Sequence, residues 1–190
     1  MRKVILASVS PWRKKMLAST GIPFQVEESG YKENMEQKLA PRVLARRLAL
    51  SKAKKVAARH KDAVVIGADT FVVFRDQLLG KPLTPKRAVE MLTALSGKTH
   101  ILLTGFAIVD SKTGRSISKA VGTRVTFRTL SAHEIEEYIR TGKPMSAAGA
   151  YVIQEGGAKL IKRTEGNVNN IAGLPLADVV DALKKFGIST

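Results

Sequence analysis

The sequence predicts an α/β fold, a mixed twisted β-sheet with flanking helices. Three observations carry that expectation. Short apolar, partly β-branched runs alternate with segments of helical period along the whole chain. Two long strand-like stretches, residues 99–110 and 118–129, flank a turn containing Gly114 and read as an antiparallel pair, which makes the sheet mixed. No repeat, low-complexity tract or linker interrupts the 190 residues. Residues 1–190 therefore read as one domain, with room for two lobes around a cleft.

The elements follow in order. Residues 2–7 read as a buried first strand. Ser10 can cap the next helix, Pro11 suits its first turn, Gly21 ends it and Pro23 follows. Residues 27–37 are polar and read as loop. Residues 41–59 carry a helical pattern in which Ala45, Ala49, Ala53 and Val56 share one face, and every charge in that stretch is basic. Lys52 falls at the edge of the apolar stripe, so its stem either snorkels along the core or delivers its ammonium to a partner. Residues 63–67 read as a second buried strand, 71–74 as a third or its continuation, and 75–77 as a turn. Thr84-Pro85 opens a helix through Leu95, closed by Gly97. Ser131 and Glu134 form a capping box for a helix running to about Arg140 and stopped by Gly142. Residues 150–154 and 159–163 read as short strands around Gly156-Gly157. Residues 175–186 read as a last helix, ended by Gly187.

Hydrophobic residues make up 44% and charged residues 25% of the chain, close to the globular average, so a core can form. No apolar run approaches a membrane span, and the one after Met1-Arg2-Lys3 stops too soon for a signal peptide. The expected location is the cytoplasm. Cysteine is absent, which excludes disulfides, thiolate metal sites and a Cys nucleophile. The net charge of +16 suits nucleic acid or a small polyanion such as a triphosphate, and equally suits plain solubility. Aromatic residues are only 5%, few for stacking single-stranded bases.

Four segments offer chemistry. In Ser8-Val9-Ser10-Pro11-Trp12-Arg13-Lys14 a buried strand gives way to a capped helix. The helix start presents free N–H groups, Ser8 and Ser10 add hydroxyls, and Arg13 and Lys14 add charge. Cations at an already positive helix end make sense if an anion binds there; the alternative is a plain cap with solvated bases. In Gly67-Ala68-Asp69-Thr70 a carboxylate sits at the end of an apolar strand, where it can hold a divalent cation, take a proton from water, or merely cap a turn. In Gly80-Lys81-Pro82 the lysine is a point charge for a phosphate. Glu33, in the polar loop, offers a second carboxylate for magnesium. No Walker A loop occurs, His60, His100 and His133 lack metal-ligand spacing, and no nucleophile-elbow serine is present.

Taken together, these strings resemble the Maf nucleotide pyrophosphatases. The resemblance rests on Leu6-Ala-Ser-Val-Ser-Pro-Trp-Arg13, Leu48-Ala-Leu-Ser-Lys52-Ala, Gly67-Ala-Asp-Thr70 with Gly80-Lys-Pro82, Leu95-Ser-Gly-Lys-Thr-His100, Thr104-Gly105, Ala148-Gly-Ala-Tyr-Val-Ile-Gln154 and Gly173-Leu-Pro-Leu176. They occur in family order and cover essentially the whole chain. The resemblance implies two lobes around a deep cleft, often in a homodimer, and hydrolysis of a nucleoside triphosphate to monophosphate and pyrophosphate with a divalent cation, Mg2+ or Mn2+. It makes Asp69 the group that activates water and a metal ligand with Glu33. It gives Ser8, Arg13, Lys52 and Lys81 the phosphates, and the helix-start reading adds Ser10 to them.

Trp12, Thr70 and Gln154 match positions that set specificity in the family. The branch acting on dTTP and UTP usually carries Arg where this chain has Trp12, and shares Thr70 and Gln154. The branch acting on 7-methyl-GTP carries Trp there and differs at the other two. Trp12 can stack on a cationic methylated guanine, and Gln154 can pair with a pyrimidine's adjacent carbonyl and N–H. Two positions of three favour dTTP and UTP; 7-methyl-GTP is the alternative. A reading of another class, a basic nucleic-acid-binding or division-regulating protein, is motivated by residues 38–61, which contain no acid.

Overall fold

The computed structural model describes residues 2–34 and 37–189. Met35 and Glu36, within the expected 27–37 loop, lie outside the described residues. The order is β1 (Lys3–Leu6), α1 (Pro11–Ala18), β2 (Gln25–Val26), α2 (Pro41–Ala57), β3 (Ala63–Phe74), β4 (Gln77–Leu79), α3 (Pro85–Leu95), β5 (Thr99–Asp110), β6 (Ser116–Phe127), α4 (Ala132–Arg140), β7 (Ile161–Glu165) and α5 (Leu176–Lys184). The strands line up as β2-β1-β3-β5-β6-β7, with β4 added to β3. β1 runs parallel to β2 and β3, whereas the β3–β4 and β6–β7 pairs are antiparallel. The fold is the expected mixed α/β sheet with flanking helices. No helix among the described residues is long and apolar enough to cross a membrane.

Of the two readings open for residues 71–74, the continuation holds: they and residues 63–67 belong to one strand, β3. Other local readings change. β2 and β4 are two and three residues long, too short to show a period of two. The expected strands at 150–154 and 159–163 are not both formed. Ala148–Ala150, Ile153–Glu155 and Gly157–Leu160 are 3-10 turns, and Ile161–Glu165 is the strand. Positive φ at Gly149 (68°), Ala150 (61°) and Gly156 (94°) breaks the extended path.

The chain divides into two compact units, one formed by Met1–Asp69, Thr104–Val121 and Gly173–Thr190, the other by Thr70–Leu103 and Gly122–Ala172. In the first, strand alternation sends Ile5, Ala63, Val65, Ala107 and Val109 to one face, where Ala49, Ala53 and Val56 of α2 pack on them. Val4, Leu6, Val64, Ile66, Phe106 and Ile108 face the other way, onto Leu17 of α1 and Val179 and Leu183 of α5. In the second, Leu92 and Leu95 of α3 and Ile135 and Tyr138 of α4 close on Val125 and Phe127 of β6. The capping box is formed: Ser131 and Glu134 each satisfy the other's backbone N–H.

Candidate active site

Two glycines decide where α2 lies in the first unit. A Cβ on Gly67 would stand 2.2 Å from the Ala49 carbonyl oxygen, and one on Gly105 2.0 Å from that of Ala45. Only glycine lets the backbones come so near. Gly67 and Asp69 are two residues apart in β3, so they share the face that α2 covers. Lys52 follows Ala49 by one helical turn and points to the same place. Its ammonium donates to Asp69 Oδ1 and lies 2.6 Å from Glu33 Oε1. Lys52 and Asp69 are buried, while the Glu33 side chain keeps 43% of its surface exposed. Of the two readings open for Lys52, the ammonium has partners rather than solvent.

Arg13 reaches the same region from α1. After β1 the chain turns at Ser8, whose Oγ accepts from Ser10 N and from Arg13 Nη1, both at 3.3 Å. Ser10 caps α1 by accepting from Arg13 N at 3.5 Å. Arg13 Nη1 also donates to the Ala68 carbonyl at 3.0 Å, and Nε to that of Gly173 at 2.9 Å. The guanidinium is thereby fixed beside the residue that precedes Asp69.

The charges act on one another. Burial pushes the Asp69 carboxyl above its ordinary range; the Lys52 ammonium opposes that, Glu33 adds to it, and Arg13 opposes it. Burial likewise lowers the Arg13 guanidinium, against the pull of Asp69 and Glu33. A carboxyl whose proton affinity is raised by burial is better suited to accept a proton than an exposed one. The two cations can meet a polyanion. Asp69 and Glu33 present oxygen donors to a common point. Among the described residues no group of three or more His, Asp or Glu is placed to hold a metal. Two carboxylates fit magnesium or manganese shared with phosphate and water, the usual arrangement for such cations.

The remaining expected residues are placed as follows. Trp12 is half-buried on the first turn of α1, with Lys15 Nζ 5.8 Å from its ring centroid. Thr70 opens the second unit and is half-buried; Lys81 and Gln154 are exposed in that unit, Gln154 on the Ile153–Glu155 turn. Gly149 N donates to the Gly80 carbonyl at 3.0 Å, which ties the loop of Lys81 to the Ala148–Ala150 turn. The first unit therefore gathers Ser8, Ser10, Arg13, Lys52, Asp69 and Glu33, and the second holds Thr70, Lys81 and Gln154.

Sequence reasoning missed the Gly173 carbonyl and the contacts of two further cations, Lys55 of α2 and Arg59 in the turn just past its end. Lys55 Nζ donates to the Gly30 carbonyl at 2.5 Å. Arg59 donates to Glu27 Oε1 at 2.7 Å, to the Glu28 carbonyl at 3.0 Å and to the Ser29 carbonyl at 3.1 Å. His60 Nε2 lies 2.7 Å from Glu27 Oε2. Arg59, with His60, holds the Glu27 carboxyl below its usual range. Part of the signal was available in the spacing of Lys52 and Lys55, three residues apart on one face of α2.

Residues 3–186 match a family described as Maf-like protein. A dTTP/UTP pyrophosphatase of Moorella thermoacetica is 45% identical over 99% of this chain and 97% of its own. Proteins of the same name from Desulforamulus reducens and Geobacter sulfurreducens are 41% and 43% identical, over 99% and 97% of this chain and 98% and 97% of theirs. A solved nucleoside-triphosphatase, dITP/XTP pyrophosphatase, from Mycobacterium abscessus is 12% identical, with a TM-score of 0.43 over 82% of this chain and 92% of that one. That looser likeness adds nothing to the assignment.

Proposed function

The chain belongs to the Maf family, and on that premise we propose that it is a nucleoside triphosphate pyrophosphatase, cleaving dTTP and UTP to the monophosphate and pyrophosphate. One observation carries the reading. In the first unit a buried carboxyl, Asp69, stands with the Lys52 ammonium and a guanidinium fixed by acceptors from Ser8, Ala68 and Gly173.

In the reaction, water attacks the α-phosphorus, a new P–O bond forms, and the bond to pyrophosphate breaks. Asp69 takes the proton of that water, a task its raised proton affinity suits. Arg13 is held before substrate arrives, so it can meet developing charge with little rearrangement. Lys52 exchanges carboxylate oxygens for phosphate oxygens. The N-terminus of α1, with the Ser8 and Ser10 hydroxyls, adds hydrogen-bond donors. Asp69 and Glu33 would hold Mg2+ or Mn2+, which supplies neutralisation of charge on the phosphates when bound. The family resemblance assigns Lys81 to phosphate as well, and Trp12, Thr70 and Gln154 to the choice of base. It also implies a homodimer; the cytoplasmic location is the expectation from the sequence.

Trp12 favours a second reading, 7-methyl-GTP, because its indole already faces a cation, Lys15. The nucleic-acid reading is weakened by the engagement of Lys52, Lys55 and Arg59 inside the protein.

Pyrophosphate release from dTTP, UTP, CTP, GTP and 7-methyl-GTP, with and without Mg2+ or Mn2+, is the deciding experiment. Release from dTTP and UTP that stops with chelator is expected. Preference for 7-methyl-GTP would move the chain to the other branch. No metal-dependent release from any nucleotide would overturn the enzyme reading.

A further inference from the structure

We propose that Lys55 and Arg59 are positioning residues that set the place of Glu33 by holding residues 27–30 along α2. The inference rests on the reading above, in which Glu33 helps hold the metal. Lys52 and Lys55 stand one turn apart on α2, and Arg59 follows four residues on, in the turn just past the helix end. Their partners run the opposite way in sequence. Lys52 meets Glu33, Lys55 meets the Gly30 carbonyl, and Arg59 meets the Ser29 and Glu28 carbonyls and the Glu27 carboxylate. The segment thus lies antiparallel along α2, and each rung is a charge-assisted hydrogen bond, stronger than a neutral one.

The segment needs such rungs. Residues 27–34 carry neither helix nor strand, so no ladder of their own fixes them. One end is anchored where β2 stops: Glu27 N donates to the Leu6 carbonyl at 3.0 Å. From there the backbone turns at Gly30, whose φ is +58°. A Cβ on Gly30 would lie 3.8 Å from Arg59 Nη2 and 3.9 Å from Lys55 Nζ. The turn therefore sits against both cations. The Glu33 side chain is 43% exposed, and an ion pair on so exposed a carboxylate holds little by itself. Lys55 and Arg59 narrow the places that Glu33 can visit, so they act on the metal site through the segment and not by touching substrate.

The test uses the full chain. Amide hydrogen exchange of the metal-free, nucleotide-free protein reads residues 27–34, and pyrophosphate release from dTTP is titrated with Mg2+. Lys55→Met and Arg59→Gln both replace exposed side chains. Each is expected to speed exchange in that segment. Each is also expected to raise the Mg2+ needed for half-maximal rate about tenfold, the scale of loss for groups that orient a metal ligand, with the KM for dTTP nearly unchanged. Lys55→Arg, which keeps the charged donor, restores both readings. In a Glu33→Gln background, Arg59→Gln adds nothing to the metal requirement. Unchanged exchange overturns the proposal. So does faster exchange with an unchanged metal requirement, which would leave the ladder a structural feature only. A wild type silent on every nucleotide sinks the functional reading and this inference with it; an active wild type with indifferent variants sinks this inference alone.

Discussion

Lys52 and Asp69 in the first unit are 8% and 4% exposed, and His100 and Tyr151 in the second are 2% and 4% exposed. Burial is alike, yet the polarity is of opposite kinds. Lys52 and Asp69 are a charged pair with Glu33 alongside. His100 Nε2 lies 2.9 Å from the Tyr151 hydroxyl, and both rings meet Phe127 edge to face. Burial pushes His100 down to about 4 and pushes the Tyr151 phenol up, so both stay neutral at ordinary pH. His100 Nδ1 is buried without a hydrogen-bond partner, a cost an imidazolium would multiply. Burial alone thus selects neutral forms, and a buried charge persists where a counter-charge stands in contact. The surroundings differ to match. The first unit brings two backbones together through Ala and Gly to seat its charges, while the second fills its core with rings and Leu.

Removing the charge of Asp69 should have the largest effect. Asp69→Asn is expected to lower the dTTP rate by about a thousandfold, within the span typical of a lost general base. A loss below tenfold in steady-state assays would show that this carboxyl does not take the proton. Forcing the backbones apart comes next. Gly67→Ala should cost about 3 kcal/mol in urea unfolding, the upper end for overpacking, because the atom it meets is a carbonyl oxygen that cannot rotate away. Normal stability in that variant would mean that α2 shifts freely, and that close approach does not seat Lys52.

The neutral cluster responds to acid. The unfolded chain protonates His100 near its ordinary value, whereas the folded protein resists until about pH 4. The unfolded state therefore binds more protons in this window, and stability falls as pH drops. Between pH 6.5 and 4.5 this group should cost about 2–3 kcal/mol. Unfolding measured at both pH values should show a smaller fall for His100→Gln than for wild type; equal falls would place the acid sensitivity elsewhere. Tyr151→Phe should have the smallest effect, about 1 kcal/mol for one lost hydrogen bond, with dTTP turnover unchanged. A stabilised variant would mean that the hydroxyl is a burden to the core.

The same contrast explains what could be read in advance. Ala45, Ala49, Ala53 and Val56 reported the apolar face of α2 through helical period, and Lys52 at its edge announced a placed charge. Asp69 was legible because a carboxylate in an apolar run is unusual, although it lies within β3 and not at a strand end as expected. Glu33 was not legible as a partner of Lys52, because a segment without period gives no direction for its side chains. The stretch from Ala150 to Gln154 misled because Tyr151, Val152 and Ile153 have strand propensity, while the backbone is set by positive φ at Gly149, Ala150 and Gly156. There tertiary burial of Tyr151 and Val152 outweighed local preference.

The carbonyl that holds Arg13 Nε belongs to Gly173, 160 residues further along, and the helix that covers Leu17 comes later still. During translation the second unit has all its segments once Ala172 has left the ribosome, but the unit carrying Asp69 does not. Arg13 lacks this anchor until Gly173 has been made. The unit that carries Asp69 is therefore assembled from segments far apart in the sequence, and its guanidinium is fixed only after the whole of the other unit has been synthesised.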